Sequence, residues 1–239
     1  MNRIVMTSLV GTIAAAALVA GVGVPAFAST STPPPSTKTT RTLESVQAAA
    51  KTATDKRDTA LIAAIAKLDA AKGISASDKA TLLDRLNADL AGMKDIEAKV
   101  AADTTLAAAS ADFKSIFTTY RVFAVAIPQA RVVADIDRAT SMDIPKLTAS
   151  QTKLAALLAG KDSSKSTAAL QSDLADMTKQ IAAANTELDG ASGRVLAITP
   201  AAYNSNKTVV TSARASVKTA KNDLKQARAD RKAILTALK

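Results

Sequence analysis

Glycine and proline are rare after Arg41, and this scarcity most limits what the chain can fold into. Of the eight glycines and seven prolines in 239 residues, only five glycines and three prolines lie beyond position 41. Alanine, which loses no side-chain entropy when a helix forms, contributes 54 residues. The stretch 121–127 is rich in β-branched residues, but no partner strand exists for it. The predicted fold is therefore all-α, an elongated bundle of five to seven helices with coiled-coil-like seams.

Apolar residues at helical spacing place these helices along residues 42–239. The prolines at 128 and 145 each lack a backbone donor. We expect a sharp turn or kink at the first, with Pro128 opening the next helix, and a helix break at the second. The predicted helices cover about 42–72, from the N-cap segment 75–78 to 100, 104–127, 129–142, 147–158, 167–188 and 200–238.

Aromatic side chains concentrate in the third predicted helix. Phe113, Phe117, Tyr120 and Phe123 all lie there, and Tyr203 is the only other ring beyond position 41. Because large rings bury the most area per residue, we expect this segment to form the centre of the core.

The first 28 residues have the pattern of a secretory signal peptide. Arg3 precedes a long apolar run, and Ala-Phe-Ala at 26–28 is a small-residue cleavage site. We predict cleavage between Ala28 and Ser29, although the run is also long enough for a retained membrane anchor, and the sequence leaves that alternative open. Residues 29–41, rich in Ser, Thr and Pro, predict an extended linker.

Charges interrupt every later apolar run, so no transmembrane segment is expected after signal cleavage. The product is accordingly predicted to be secreted and extracellular, either free or associated with the cell wall.

The chain contains no cysteine, histidine or tryptophan. Disulfides, zinc sites, thiolate nucleophiles and histidine-based dyads are therefore excluded. Acidic residues alternate with lysine and arginine as on an exposed helix face, and no Gly-rich phosphate loop or EF-hand spacing occurs. We predict that the protein is not an enzyme and has no catalytic residue, metal site or cofactor.

Positive charge collects in the predicted C-terminal helix. Residues 200–239 contain nine basic and two acidic residues, and most of the cations alternate three and four apart beside an apolar seam. We call these cations the basic ribbon, which would be about 48 Å long on a continuous helix. Its members are Lys207, Arg214, Lys218, Lys221, Lys225, Arg228, Lys232 and Lys239.

Two interpretations of the basic ribbon remain open. It is either a solvated helix face or a binding surface for an anionic polymer of the cell envelope, such as a teichoic acid or acidic glycan, driven by counterion release. Nucleic acid is not expected as a partner, because the helix lacks interleaved aromatic residues.

Charged residues also surround the predicted turn at Pro128. Arg131 and Asp135 are four residues apart, and Arg138 follows Asp135 by three, so both pairs share one helix side. The cluster predicts either an ion-pair network that fixes how two helices meet or a small anionic-ligand pocket. The candidate residues are Tyr120, Arg121, Arg131, Asp135 and Arg138, of which Tyr120, Arg121 and Arg131 would line the pocket.

Several short motifs occur in a fixed order along the chain. They are SDKA-x-LL at 77–83, YRVF at 120–123, IPQ-x-RVV at 127–133, DR at 137–138 and TPA-x-YN at 199–204. Together they resemble a signature of secreted, alanine-rich helical proteins of Gram-positive and related bacteria. That family is uncharacterised, so the resemblance implies secretion and a helical fold, but no activity, cofactor or catalytic residue.

These patterns together predict a secreted, non-enzymatic structural or interaction protein of the cell surface. Its basic helix 200–238 would hold it to an envelope polyanion, and its partner would be an anionic cell-wall polymer or a surface protein. The alternative is a soluble extracellular module that captures a small ligand or protein near the Pro128 turn. The sequence leaves the oligomeric state open.

Overall fold

Side-chain caps mark where five of the helices begin. The hydroxyl groups of Thr42, Ser75, Thr105, Thr167 and Thr199 each accept a hydrogen bond from the backbone N–H three residues later. Each such bond satisfies one of the donors that a helix start leaves unpaired. The positions agree with the starts that the sequence predicts.

A computed structural model describes residues 41–239, so the predicted signal peptide at 1–28 and nearly all of the predicted linker at 29–41 lie outside the described residues. Within that range the protein is an all-α helical bundle without strands, as predicted. The α-helices are α1 (Leu43–Asp69), α2 (Ala76–Ala102), α3 (Leu106–Thr118), α4 (Ile127–Arg138), α5 (Ile144–Ala159), α6 (Ala168–Leu188), α7 (Ala191–Leu196), α8 (Pro200–Ser205) and α9 (Val209–Ala237).

The helix continues through both internal prolines. A π turn, Val122–Ala126, precedes α4, and a second, Ala139–Asp143, joins α4 to α5. In each case the residue before the proline donates its N–H to the carbonyl five residues earlier. This wider turn makes room where an α turn would press the proline ring against a carbonyl. The expected break at Pro145 is therefore wrong, and we call the continuous element 122–159 the long helix.

The sharp change of direction lies before the long helix, not at Pro128. α3 ends at Thr118, and Arg121 has a left-handed backbone with φ 49°. Residues other than glycine rarely adopt this conformation, which is why the sequence did not indicate the position. The expected turn is thus seven residues upstream of the proline.

The long helix joins two groups of packed helices. α1, α2 and α3 pack on one another, and so do α5, α6 and α9. α4, in the middle of the long helix, contacts α1 and α2 of the first group and α9 of the second, and it also contacts α7. Both α1 and α9 therefore border the segment that contains Pro128.

The core is aliphatic, and the expected aromatic centre is wrong. Phe117 is 37% exposed and Phe123 is 52% exposed. Their rings flank the buried guanidinium of Arg57, whose central carbon lies 4.5 and 5.1 Å from the two ring centroids. Burial lowers the pKa of this guanidinium. The largest fully buried side chains are Leu61, Leu82, Leu86, Met93, Val100, Ile116, Ile136, Leu154, Leu158, Met177, Leu224 and Ile234.

The predicted apolar seam of α6 is confirmed. Its members alternate four and three apart, and all of them are buried: Leu170, Leu174, Met177, Ile181, Ala184 and Leu188.

Across residues 41–239, each helix is either too short or too polar to cross a lipid bilayer.

Candidate functional site

The predicted C-terminal helix 200–238 consists of two helices. The Asn206 side-chain oxygen accepts hydrogen bonds from the N–H of Thr208 at 3.0 Å and from its hydroxyl at 2.7 Å. This local turn competes with helical hydrogen bonding and separates α8 from α9. As a result, Lys207 lies before α9, and Lys239 lies beyond its last residue, Ala237.

All eight side chains of the basic ribbon are exposed. The part on α9 runs from Arg214 to Lys232, which is about 27 Å of helix instead of the expected 48 Å. The other side of α9 packs mainly on α6. Its buried apolar residues are Val210, Val217, Ala220, Leu224, Ala227 and Ile234.

Two members of the basic ribbon pair with carboxylates on the long helix. Lys221 Nζ lies 2.7 Å from Asp135 Oδ2, and Arg228 Nη2 lies 3.3 Å from Asp143 Oδ1. The other six make no ion pair with an acidic side chain of residues 41–239, and residues 1–40 contain no Asp or Glu. We call these six the free cations: Lys207, Arg214, Lys218, Lys225, Lys232 and Lys239.

The free cations on α9 share a narrow sector of the helix. At about 100° per residue, Arg214, Lys218, Lys225 and Lys232 fall within about 40° of one another around the axis. The paired cations Lys221 and Arg228 lie to one side of this sector. The ion pairs thus join the edge of the basic ribbon to the long helix and leave the centre of the ribbon open to solvent.

The expected ion-pair network at the Pro128 turn does not form. Asp135 pairs with Lys221 of α9, and within residues 41–239 neither Arg131 nor Arg138 pairs with a carboxylate. Both arginines are exposed. A contact between two helices thus replaces the pairs that spacing within one helix predicts.

Arg121 binds the short helix α8. Its Nε donates to Asn204 Oδ1 at 2.7 Å, and its guanidinium carbon lies 5.4 Å from the Tyr203 ring centroid. Asn204 in turn donates to the backbone carbonyl of Thr118 at 2.9 Å. These contacts hold α8 against the end of α3, so Arg121 acts as a structural residue.

Tyr120 and Arg131 line different cavities, so the anionic pocket expected from Tyr120, Arg121 and Arg131 does not form. The Tyr120 ring lies directly on α2, where a Cβ added at Gly92 would be 2.7 Å from its Cζ. The cavity beside it has a volume of about 300 Å³ and contains Asp89, whose pKa burial raises to about 6.

Gln129 ties the long helix to the end of α7. It is 4% exposed, and its Nε2 donates to the carbonyls of Val195 at 2.7 Å and Ile198 at 2.8 Å. Arg85 of α2 donates to the Leu196 carbonyl at 2.6 Å. The Val195 carbonyl also accepts the backbone N–H of Ile198 at 3.0 Å, whereas the Leu196 carbonyl is one that the end of α7 leaves without an intrahelical donor.

Asp137 makes a similar link between separate elements. It accepts hydrogen bonds from the backbone N–H of Ser75, at the start of α2, and from the Ser192 hydroxyl in α7. Together with Gln129 and Arg121, it brings the motifs near 77, 120–138 and 199–204 into one junction.

The sequence did not indicate the cleft that lies between α1 and α4. Its volume is about 420 Å³, and Phe123 lies at its edge. The walls are mostly alanine, and Lys67, Arg131 and Asp135 are its charged residues. The small residues recur three and four apart on each helix, but such spacing cannot tell whether two helices close tightly or leave a gap.

No three acidic side chains group closely enough to hold a metal ion in the part of the chain that the structure describes.

No protein-family model, curated protein or solved structure matches this chain.

Proposed function

We propose that this protein is a secreted, non-enzymatic protein of the cell surface that binds an anionic envelope polymer along α9. The observation that carries this proposal is the row of free cations within one narrow sector of that helix. Side chains of a merely solvated surface helix commonly alternate in sign, whereas the acidic residues of α9, Asp223 and Asp230, lie outside this row.

The packing of α9 supports the proposal. Its buried side lies against α6, and the pairs Lys221–Asp135 and Arg228–Asp143 fix one edge. The free cations are thus presented on a helix that is held in place, so binding a polymer requires no large rearrangement of the backbone. Each polymer phosphate or carboxylate that such cations neutralise releases counterions.

The sequence pattern of residues 1–41 supports the location. A signal peptide at 1–28 and an extended linker after it would place the helical bundle outside the cell. The alternating buried residues of α6 and α9 support a coiled-coil-like pair that also serves as a rigid spacer.

A salt titration of polymer binding tests the proposal. The probe is purified poly(glycerol phosphate), and its binding to the full-length protein is measured between low and physiological salt. Affinity should fall steeply with salt, and replacing Lys218, Lys225 and Lys232 by glutamine should reduce the slope of log K against log salt by about 2.

A matched control variant distinguishes the contribution of the basic ribbon to binding from the contribution of the net charge. Lys56, Lys94 and Lys114 are exposed on α1, α2 and α3 and make no ion pair within residues 41–239. Their replacement by glutamine changes the net charge equally but should leave most of the affinity. Equal losses of affinity in the two triple variants, or an affinity that does not depend on salt concentration, would refute the proposal.

A further inference from the structure

The cleft between α1 and α4 has the size and lining of a ligand site. Its volume of about 420 Å³ lies within the range of about 300–1,000 Å³ that is usual for small-molecule sites. Many side chains where the two helices face each other are alanine, which is too short to fill the space between the helices. The apolar wall comprises Ala60, Ala63, Ala64, Leu68, Ile127 and Ala130.

Phe123 gives the cleft an exposed apolar edge. Its ring is 52% exposed, yet Arg57 stacks against it with the guanidinium carbon 5.1 Å from the ring centroid. The ring is thus held in position while much of its surface faces water. Covering such a surface with an apolar group is favourable in proportion to the area removed from water.

The charged residues of the cleft favour an anion. Lys67 and Arg131 are exposed, and neither pairs with a carboxylate within residues 41–239. The one acidic side chain of the lining, Asp135, is already paired with Lys221. An anionic group at the cleft would therefore meet two uncompensated positive charges.

We infer that this cleft binds a single-chain amphiphile, with its alkyl tail along the alanine walls and its anionic head group at Lys67 and Arg131. The head group is a phosphate, sulfate or carboxylate, since all three offer the same charge-assisted hydrogen bonds. This site does not rest on polymer binding by α9, because it uses different side chains.

A chain-length series tests the tail. The probes are n-alkyl phosphates below their micelle-forming concentrations, with affinity measured by calorimetry. Affinity should rise about fourfold for each added methylene until the tail fills the cleft. An affinity that is independent of chain length would overturn the assignment.

Two phenylalanine variants test the location. Ala63 is exposed and lines the cleft, whereas Ala66 is exposed on the same helix outside it. Ala63→Phe should abolish the chain-length dependence, and Ala66→Phe should preserve it. Equal behaviour of the two variants would overturn the assignment.

Charge variants test the head group. Replacing Lys67 and Arg131 together by glutamine should weaken alkyl phosphate binding about tenfold and leave binding of the uncharged alkyl alcohol unchanged. The Lys218, Lys225 and Lys232 variant should bind alkyl phosphates normally. If that variant alone loses them, the ligand lies on α9 and the cleft assignment is wrong.

Discussion

Replacing Gln129 by leucine removes a buried donor on which the end of α7 depends. The two side chains have similar size, so the change tests hydrogen bonding more than packing. In the wild-type protein, Gln129 Nε2 donates to Val195 O at 2.7 Å, to Ile198 O at 2.8 Å and to Leu196 O at 3.3 Å. Leucine can donate to none of these oxygens.

The magnitude follows from the burial of the three acceptors. The bond to Val195 is buried, whereas those to Leu196 and Ile198 are partly buried, so water can replace the latter in part. Val195 O keeps the backbone N–H of Ile198 at 3.0 Å and Leu196 O keeps Arg85 at 2.6 Å, so the loss is the sum of three hydrogen bonds worth about 0.5–1.5 kcal/mol each. We therefore expect a loss of about 2–4 kcal/mol in the free energy of unfolding.

Urea unfolding followed by far-ultraviolet circular dichroism measures this loss, with an unchanged m-value as a check on the comparison. The control is Gln151→Leu, because Gln151 makes one exposed hydrogen bond to Thr178 at 3.1 Å. It should change stability by less than about 0.5 kcal/mol. Similar small losses in both variants would refute the role assigned to Gln129.

Three further predictions use paired positions or pH. Gly92→Ala should destabilise the protein by about 1–3 kcal/mol, because its Cβ overlaps the packed Tyr120 ring, whereas Gly193→Ala, with nothing within 4 Å, should stabilise it by about 0.5–1 kcal/mol in the same urea assay. Ile116 is fully buried, so Ile116→Ala should lower the melting temperature more than Phe117→Ala, and the reverse order would contradict the aliphatic core. Because the folded-state pKa of Asp89 is raised from 3.8 to about 6, its ionisation should lower stability as pH rises between these values; Asp89→Asn should match wild type near pH 4 and exceed it above pH 7, and a constant difference would contradict this.

The sequence predicted the features that depend on neighbouring residues. Thr42, Thr105 and Thr167 cap their helices where expected, and the seam of α6 is buried as its spacing requires. Such features are local because capping and helical periodicity involve residues within a few positions of one another. The fold class followed from the same local rules.

The features that depend on distant residues could not be predicted. Nothing near Asp135 in the sequence indicates Lys221, and nothing near Phe123 indicates that Arg57 of α1 will stack on its ring. The sequence is equally silent on the burial of Asp230 on α9, which is 8% exposed and accepts a hydrogen bond from Gln226 at 2.8 Å, because aspartate on a charged helix is usually exposed. Tertiary contacts decide these positions.

The two π turns set the rotational phase of the long helix. Each turn contains one residue more than the α turn it replaces, and one residue corresponds to about 100° of rotation. Deleting a single residue from Ala139–Asp143 would therefore keep the helix continuous but rotate α5 about its own axis relative to α4. Leu154 and Leu158 would then leave the core. The prolines and their π turns therefore determine which side of the unbroken helix packs against each of the two helix groups.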